Sequence, residues 1–237
     1  YNDERGQIIF IDTPGLHNGK DRLDKLMNQS ASGAIDGTDC VIYLVDTSRD
    51  VGEEERNIAE KLKDVLGVTV LVEKSATLRD LGQLQAAQST FDEAERLANE
   101  KLEAGHPRLG YVRHERGALR LARGDLDGAQ RDLREARDLL EQQGNLERVA
   151  NASVSLGEAA LRSDRLDVAR TEFAAALETR RKIFPAGYWS IADAQSRLGN
   201  VLCLSGDCAA GLAMMSRALQ ELRATRPAGD LMTQAAE

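Results

Sequence analysis

Aromatic residues are scarce: 4% of 237. That is too few for the core of a compact sandwich or barrel, whereas a core of Ala and Leu suits closely packed helices. Long apolar runs are absent, and none approaches the ~20 residues of a membrane span. There is no basic excess. The net charge of −8 and a pI near 5.1 argue against nucleic acid as a partner of the chain as a whole. Cysteine is sparse and odd in number, at Cys40, Cys203 and Cys208, a pattern that points to a reducing cytoplasm. Cys203 and Cys208 lie five apart with no second ligand pair, which sets zinc aside. No secretory signal is visible, and Tyr1 in place of an initiating Met marks a fragment or a processed product. No Ser-His-Asp set, Cys-His pair or carboxylate dyad is supported by spacing. His17 and His106 have no partners at catalytic or metal spacing.

What is present falls into two parts that join near residue 74. Residues 1–74 read as α/β. Three short Val- and Ile-rich runs, Ile8–Ile11, Cys40–Val45 and Val68–Val72, are bounded by turn or charged residues, as fully buried parallel strands are. Between them lie stretches of helical length at 22–35 and 53–66. In the second, Ile58, Leu62, Val65 and Leu66 recur at three- and four-residue steps, and Glu53, Glu54 and Glu55 make a charged first turn. The expectation is a small three-stranded parallel sheet, with Ile8–Ile11 beside Cys40–Val45 and Val68–Val72 on the other side.

D-T-P-G, residues 12–15, follows the first strand directly. With I-I-F-I before it, L-H-N-G-K-D-R-L-D-K-L-M after it and C-V-I-Y-L-V-D-T at the second strand, residues 1–72 resemble Era-type bacterial GTPases. Those bind RNA and the small ribosomal subunit. The resemblance implies that Asp12 matches the magnesium-side Asp and Gly15 the glycine whose amide approaches the γ-phosphate. It also implies what is lacking. No G-x-x-x-x-G-K-[ST] loop occurs anywhere in the chain, the switch Thr is absent, and E-K-S-A-T-L-R-D stands where N-K-x-D should follow Val72. Ser75-Ala76 only faintly echoes the last guanine-loop motif. No cofactor is therefore expected. GTP and magnesium enter only if the missing motifs come from elsewhere, the alternative being an Era-like GTPase represented by an incomplete or chimeric chain.

Residues 76–224 carry internal repeats, and 225–237 read as a flexible tail. A Gly at 82, 117, 157 and 199 lies twelve residues before a small residue at Ala94, Ala129, Ala169 and Gly211, giving repeat lengths of 35, 40 and 42. Each unit reads as two helices that approach closely at these small residues. The turns are Gly124-Asp125, Ser163-Asp164 and Gly206-Asp207, with Gly suited to the left-handed end of one helix and Asp to the N-cap of the next. Thr90 and Glu93 could form a capping box. About four helix pairs make an all-α solenoid. It resembles tetratricopeptide (TPR) repeats of the longer kind found in kinesin light chains and in some bacterial kinase tails.

The resemblance implies a binding module for a protein or peptide, with no membrane span. Tyr111, His114, Arg113 and Arg120 are candidates for lining the groove. Arg113, Arg116, Arg120 and Arg123 recur on one helix, either as an acid-binding stripe or as a face salt-bridged by nearby acids such as Glu115, Asp125 and Asp127. Met214 and Met215 read as core filler, Tyr188 and Trp189 as anchors of the last pair's entrance, and Arg137 as an exposed position.

Overall fold

The structure, a computed structural model, describes residues 2–3, 6–7 and 53–225, with side-chain surroundings for 66–224. The chain divides into two units, 1–67 and 68–237. In the first, β1 (Asn2–Asp3) and β2 (Gly6–Gln7) pair antiparallel, Asn2 opposite Gln7 and Asp3 opposite Gly6. The expected strands Ile8–Ile11 and Cys40–Val45, the helix at 22–35 and the tail beyond Thr225 lie outside the described residues. Helix α1 (Glu53–Asp80) starts at the acidic turn that the sequence marks.

The third expected strand is a correction. Val68–Val72 belongs to α1. Its burial follows a helical period: Val68 and Val72, four apart, are buried, while Val70 between them is 64% exposed. Val68 and Val72 join Ala87, Phe91, Ala94 and Ala98 of α2 (Leu84–Lys101) and Val112 and Leu119 of α3 (Leu109–Arg123) in one core. Three valines in five residues favour a strand locally, but the apolar face of a helix packed on two neighbours outweighs that preference.

Helices α4 (Leu126–Gln142), α5 (Leu146–Arg162), α6 (Leu166–Ile183), α7 (Trp189–Leu204) and α8 (Cys208–Thr225) complete four successive hairpins among the described residues. From α2 onward each helix packs against the next in the chain. The cores run on in the same order. Leu121, Ala129, Leu133, Leu156 and Ala159 join α3, α4 and α5, and Ala160, Ala169, Phe173, Leu177, Ile191 and Leu198 join α5, α6 and α7.

The small-residue frame holds in three units and is corrected in the first. Gly117, Gly157 and Gly199 sit inside first helices, where an added Cβ would meet Leu133 and Ala129 O, the Phe173 ring, and Gly211 O of the second helices respectively. Gly82 does not: it ends α1 in the turn, with φ +74°. The matching position is Ser75, buried against Ala87 twelve residues on, and the frame then recurs at intervals of 42, 40 and 42 residues. The error is seven residues, two helical turns. Ala87 and Ala94 lie on the same buried face of α2, so periodicity alone cannot choose between them.

The turns follow the corrected frame. Seven residues past each small residue stand Gly82, Gly124, Asp164 and Gly206, with φ of +74°, +88°, +56° and +96°. This left-handed residue closes the first helix and accounts for three of the four being glycine. Asp125 caps α4 by accepting from Gly128 N, and Asp207 accepts from Ala210 N. Asp164 is a correction, since it takes the left-handed position itself and Arg165 stands at the N-cap of α6 without a side-chain bond. Thr90 is another, buried in the interior of α2 rather than at its start.

Candidate functional site

The array presents two flanks of different chemistry, and α3 contributes to both. On the flank built by first helices, Asn145 Nδ2 donates to Tyr111 Oη at 2.9 Å. The Arg148 guanidinium lies 4.8 Å above the Tyr111 ring and donates to Glu73 Oε1 at 3.0 Å, tying α5 to α1 across α3. His114 Nε2 and Ser155 Oγ are 3.3 Å apart. Farther along, Arg197 bridges Asp193 at 2.9 Å and Glu158 at 3.1 Å. Beneath them buried Arg180 of α6 donates to Ser190 O at 2.6 Å, Asp193 at 2.8 Å and Asn151 at 3.1 Å.

The opposite flank holds the arginine stripe. Arg116 grips Asp132 through two bonds of 2.6 and 2.8 Å and reaches Glu95 at 3.0 Å. Arg120 pairs with Asp132 at 2.7 Å and Asp125 at 3.7 Å, Arg113 with Glu95 and Glu135 at 3.7 and 3.6 Å, and Arg123 donates to Gln88 at 2.9 Å. The stripe is thus met by the chain's own acids and amides. A cavity of about 490 Å³ opens here over Phe91 and Leu119, walled by Gln88, Glu95, Arg116 and Arg120.

The four groove candidates therefore separate. Tyr111 and His114 share the first-helix flank, and Arg113 and Arg120 lie on the other. Asn151 and Asp193, both of which accept from Arg180, stand at the same repeat position as Tyr111 and are not among the candidates the sequence offers. A signal for them exists: Thr69, Tyr111, Asn151 and Asp193 each stand six residues before the frame's small residue. Asp12 and Gly15 lie outside the described residues. Ser75 does not serve a guanine loop. It is fully buried, donating within reach of Ala87 O at 3.2 Å and of Glu115 Oε1 at 2.8 Å. Tyr188 stands at the N-cap position of α7 without a side-chain capping bond and stacks on Phe184 at 4.2 Å, with Trp189 beside it at the entrance of the last pair. Met214 packs against the α5–α7 core.

Two titratable groups between the first helices are displaced in opposite senses. Burial lowers His114 from 6.5 to about 4, aided by the positive charges of Arg148 and Arg79 and opposed by a backbone bond at Asn151. Burial raises the Glu115 carboxyl, against the pull of Arg79 and the Ser75 hydroxyl. A histidine whose folded value is depressed folds neutral, so its contribution is full above about 6.5 and is lost as the pH falls from there toward 4. Glu115 works the other way, since the folded state takes up its proton more readily. The thermal midpoint of the His114→Gln chain should therefore fall less than that of the parent between pH 6.5 and 4, the two converging in slope above pH 7. Parallel curves across that range would show that His114 is not held neutral.

Comparison with known proteins separates the same two parts. Residues 1–74 match the family model described as 50S ribosome-binding GTPase. GTPase Era of Clostridioides difficile (strain 630) is 35% identical over 92 residues, 39% of this chain and 29% of the relative. GTPase Era of Treponema denticola is 40% identical over 78 residues, 33% and 26% of the two chains. The chain thus spans less than a third of the length of these curated relatives. The helical part has the fold of kinesin-light-chain-like TPR arrays. TPR-like repeats of the kinesin light chain kind from Podosopora anserina superpose with a TM-score of 0.59 at 15% identity, covering 71% of this chain and 81% of that one. BtubC (BKLC) from P. vanneervenii gives 0.60 at 21% identity, covering 74% and 70%. Among the described residues no helix is long and apolar enough to cross a membrane, and no group of three His, Cys, Asp or Glu is placed to hold a metal ion.

Proposed function

We propose that the helical part is a cytoplasmic protein-interaction scaffold that takes a peptide, extended or helical, on the flank built by its first helices. One observation carries this reading. A single repeat position supplies Thr69, Tyr111, Asn151 and Asp193, one polar side chain per unit, along α1, α3, α5 and α7. A row of hydrogen-bonding groups at the spacing of the repeat suits a linear polar ligand, and the part-exposed Tyr111–Arg148 pair offers an aromatic and a guanidinium as anchors. Both flanks are bonded within the chain; the arginine flank suits such a ligand less because its stripe lies on α3 alone and does not recur along the array.

Selection of displayed random peptides on the full chain tests this. Tyr111→Ala with Asn151→Ala should weaken the selected peptides by about tenfold or more, and Arg120→Ala should leave them within about twofold. Failure to enrich any peptide, or equal loss from both flanks, would remove the reading.

A second reading rests on the family match of residues 1–74, a GTP-binding role with magnesium near Asp12 and Gly15. Its chemistry needs a phosphate loop and a guanine-reading motif. In this chain α1 continues through the residues after Val72, and Ser75 is committed to the repeat core. We therefore expect no useful GTP affinity from the chain itself. A micromolar Kd by isothermal titration with GTP and magnesium, abolished by Asp12→Ala, would reverse that.

A further inference from the structure

We propose that Cys203 and Cys208 form a reversible redox clip across the α7–α8 turn, closed by small-molecule disulfides such as oxidised glutathione. The two sulfurs are in bonding contact across Leu204, Ser205, Gly206 and Asp207. Cys208 O lies 3.6 Å from Cys203 Sγ, an acceptor within reach of the thiol once the bond opens and the two sulfurs move apart. Cys208 begins α8 and is exposed, and Cys203 is half-buried in the last turn of α7.

Their surroundings make the bond matter. At this end of the array α8 packs on α7, and the two backbones touch: a Cβ added at Gly211 would lie 2.3 Å from Gly199 O and 2.9 Å from Cys203 Sγ. The clip sits one turn from this contact and fastens the helix through it. The closed loop is short, so the constraint on the unfolded chain is modest and the bond stays within reach of cellular thiols.

The chemistry balances with one oxidant. The exposed Cys208 thiolate attacks a sulfur of oxidised glutathione, forming a mixed disulfide and releasing one glutathione thiolate. Cys203 then attacks the Cys208 sulfur, displacing the second glutathione. One S–S bond breaks and one forms, the protein loses two hydrogens, and both leave on two molecules of reduced glutathione.

The full chain carrying Cys40→Ser isolates the pair. In an oxidising glutathione buffer its two remaining thiols should disappear together, in a monomer, with a mass loss of two hydrogens. Trypsin cleavage after exposed Arg217 of α8 should slow by about tenfold relative to the reduced protein. With Cys203→Ser added, Cys208 should instead retain one glutathione and the cleavage rate should stay at the reduced value. Persistence of both thiols, cross-linking between chains, or equal cleavage of the two redox forms would overturn the proposal.

Discussion

Gly157→Leu is expected to lower the stability of the helical array by at least about 3 kcal/mol. A Cβ at residue 157 would stand 2.6, 2.7 and 2.9 Å from three ring carbons of Phe173, closer than carbons approach without bonding. Phe173 is fully buried among Ala169, Leu177 and Leu198, so the ring has nowhere to retreat. Ala169→Leu, at the facing small position, should cost about 1–3 kcal/mol. Arg131, exposed on α4, is the control, and Arg131→Ala should cost less than about 0.5 kcal/mol. Arg137 cannot serve, because its guanidinium pairs with Glu172 of α6 at 2.8 Å rather than facing solvent alone. Urea melts of the three variants decide the matter, and equal midpoint shifts would mean the helices do not meet at this frame.

Asp132→Ala should cost roughly 2–4 kcal/mol. Asp132 is 3% exposed and receives Arg116 through both carboxylate oxygens and Arg120 at 2.7 Å. Its hydrogen bonds are the first cause of the raised pKa of Arg116. Removing the acid leaves two guanidiniums with Glu95, Asp125 and water, which moderates the loss because both cations are partly exposed. A double-mutant cycle with Arg116→Met should return a coupling of about 1–3 kcal/mol. A cost under about 0.5 kcal/mol would show that Glu95 replaces Asp132 without penalty.

Much of the helical part is legible in the sequence, because its determinants are short-range. Gly117, Gly157 and Gly199 announce close helix contacts, and Gly124 and Gly206 announce left-handed turns, since few other residues fit either place. Where the residue type is less restrictive, the reading slips. Ser75 can fill a glycine's place because its hydroxyl finds Ala87 O and Glu115, a partner 40 residues away that no local pattern reveals. Asp164 tolerates the left-handed conformation and so displaces the cap by one residue. Val68–Val72 has the composition of a strand, and its helical state depends on a face completed by Phe91 and Val112. The candidate site was half legible for the same reason. Tyr111 and His114 read as one side of a helix and are so, but the helix sides taken by Arg113 and Arg120 are settled by where Glu95 and Asp132 come to lie.

The link from Arg148 to Glu73 skips a hairpin. In a stacked repeat protein each unit ordinarily feels only its neighbours, and the array melts as a chain of nearest-neighbour couplings. Here a next-nearest contact reaches from the first hairpin to the third over the ring of Tyr111, through an ion pair whose partners are both substantially exposed and which therefore adds at most about 1 kcal/mol to the coupling between neighbours. The fourth hairpin is held to the third by the α6–α7 packing and by the bonds from Arg180 and Arg197. Loss of structure should begin at α8, the last described helix, which packs on α7 and has no further hairpin among the described residues to cover its other side.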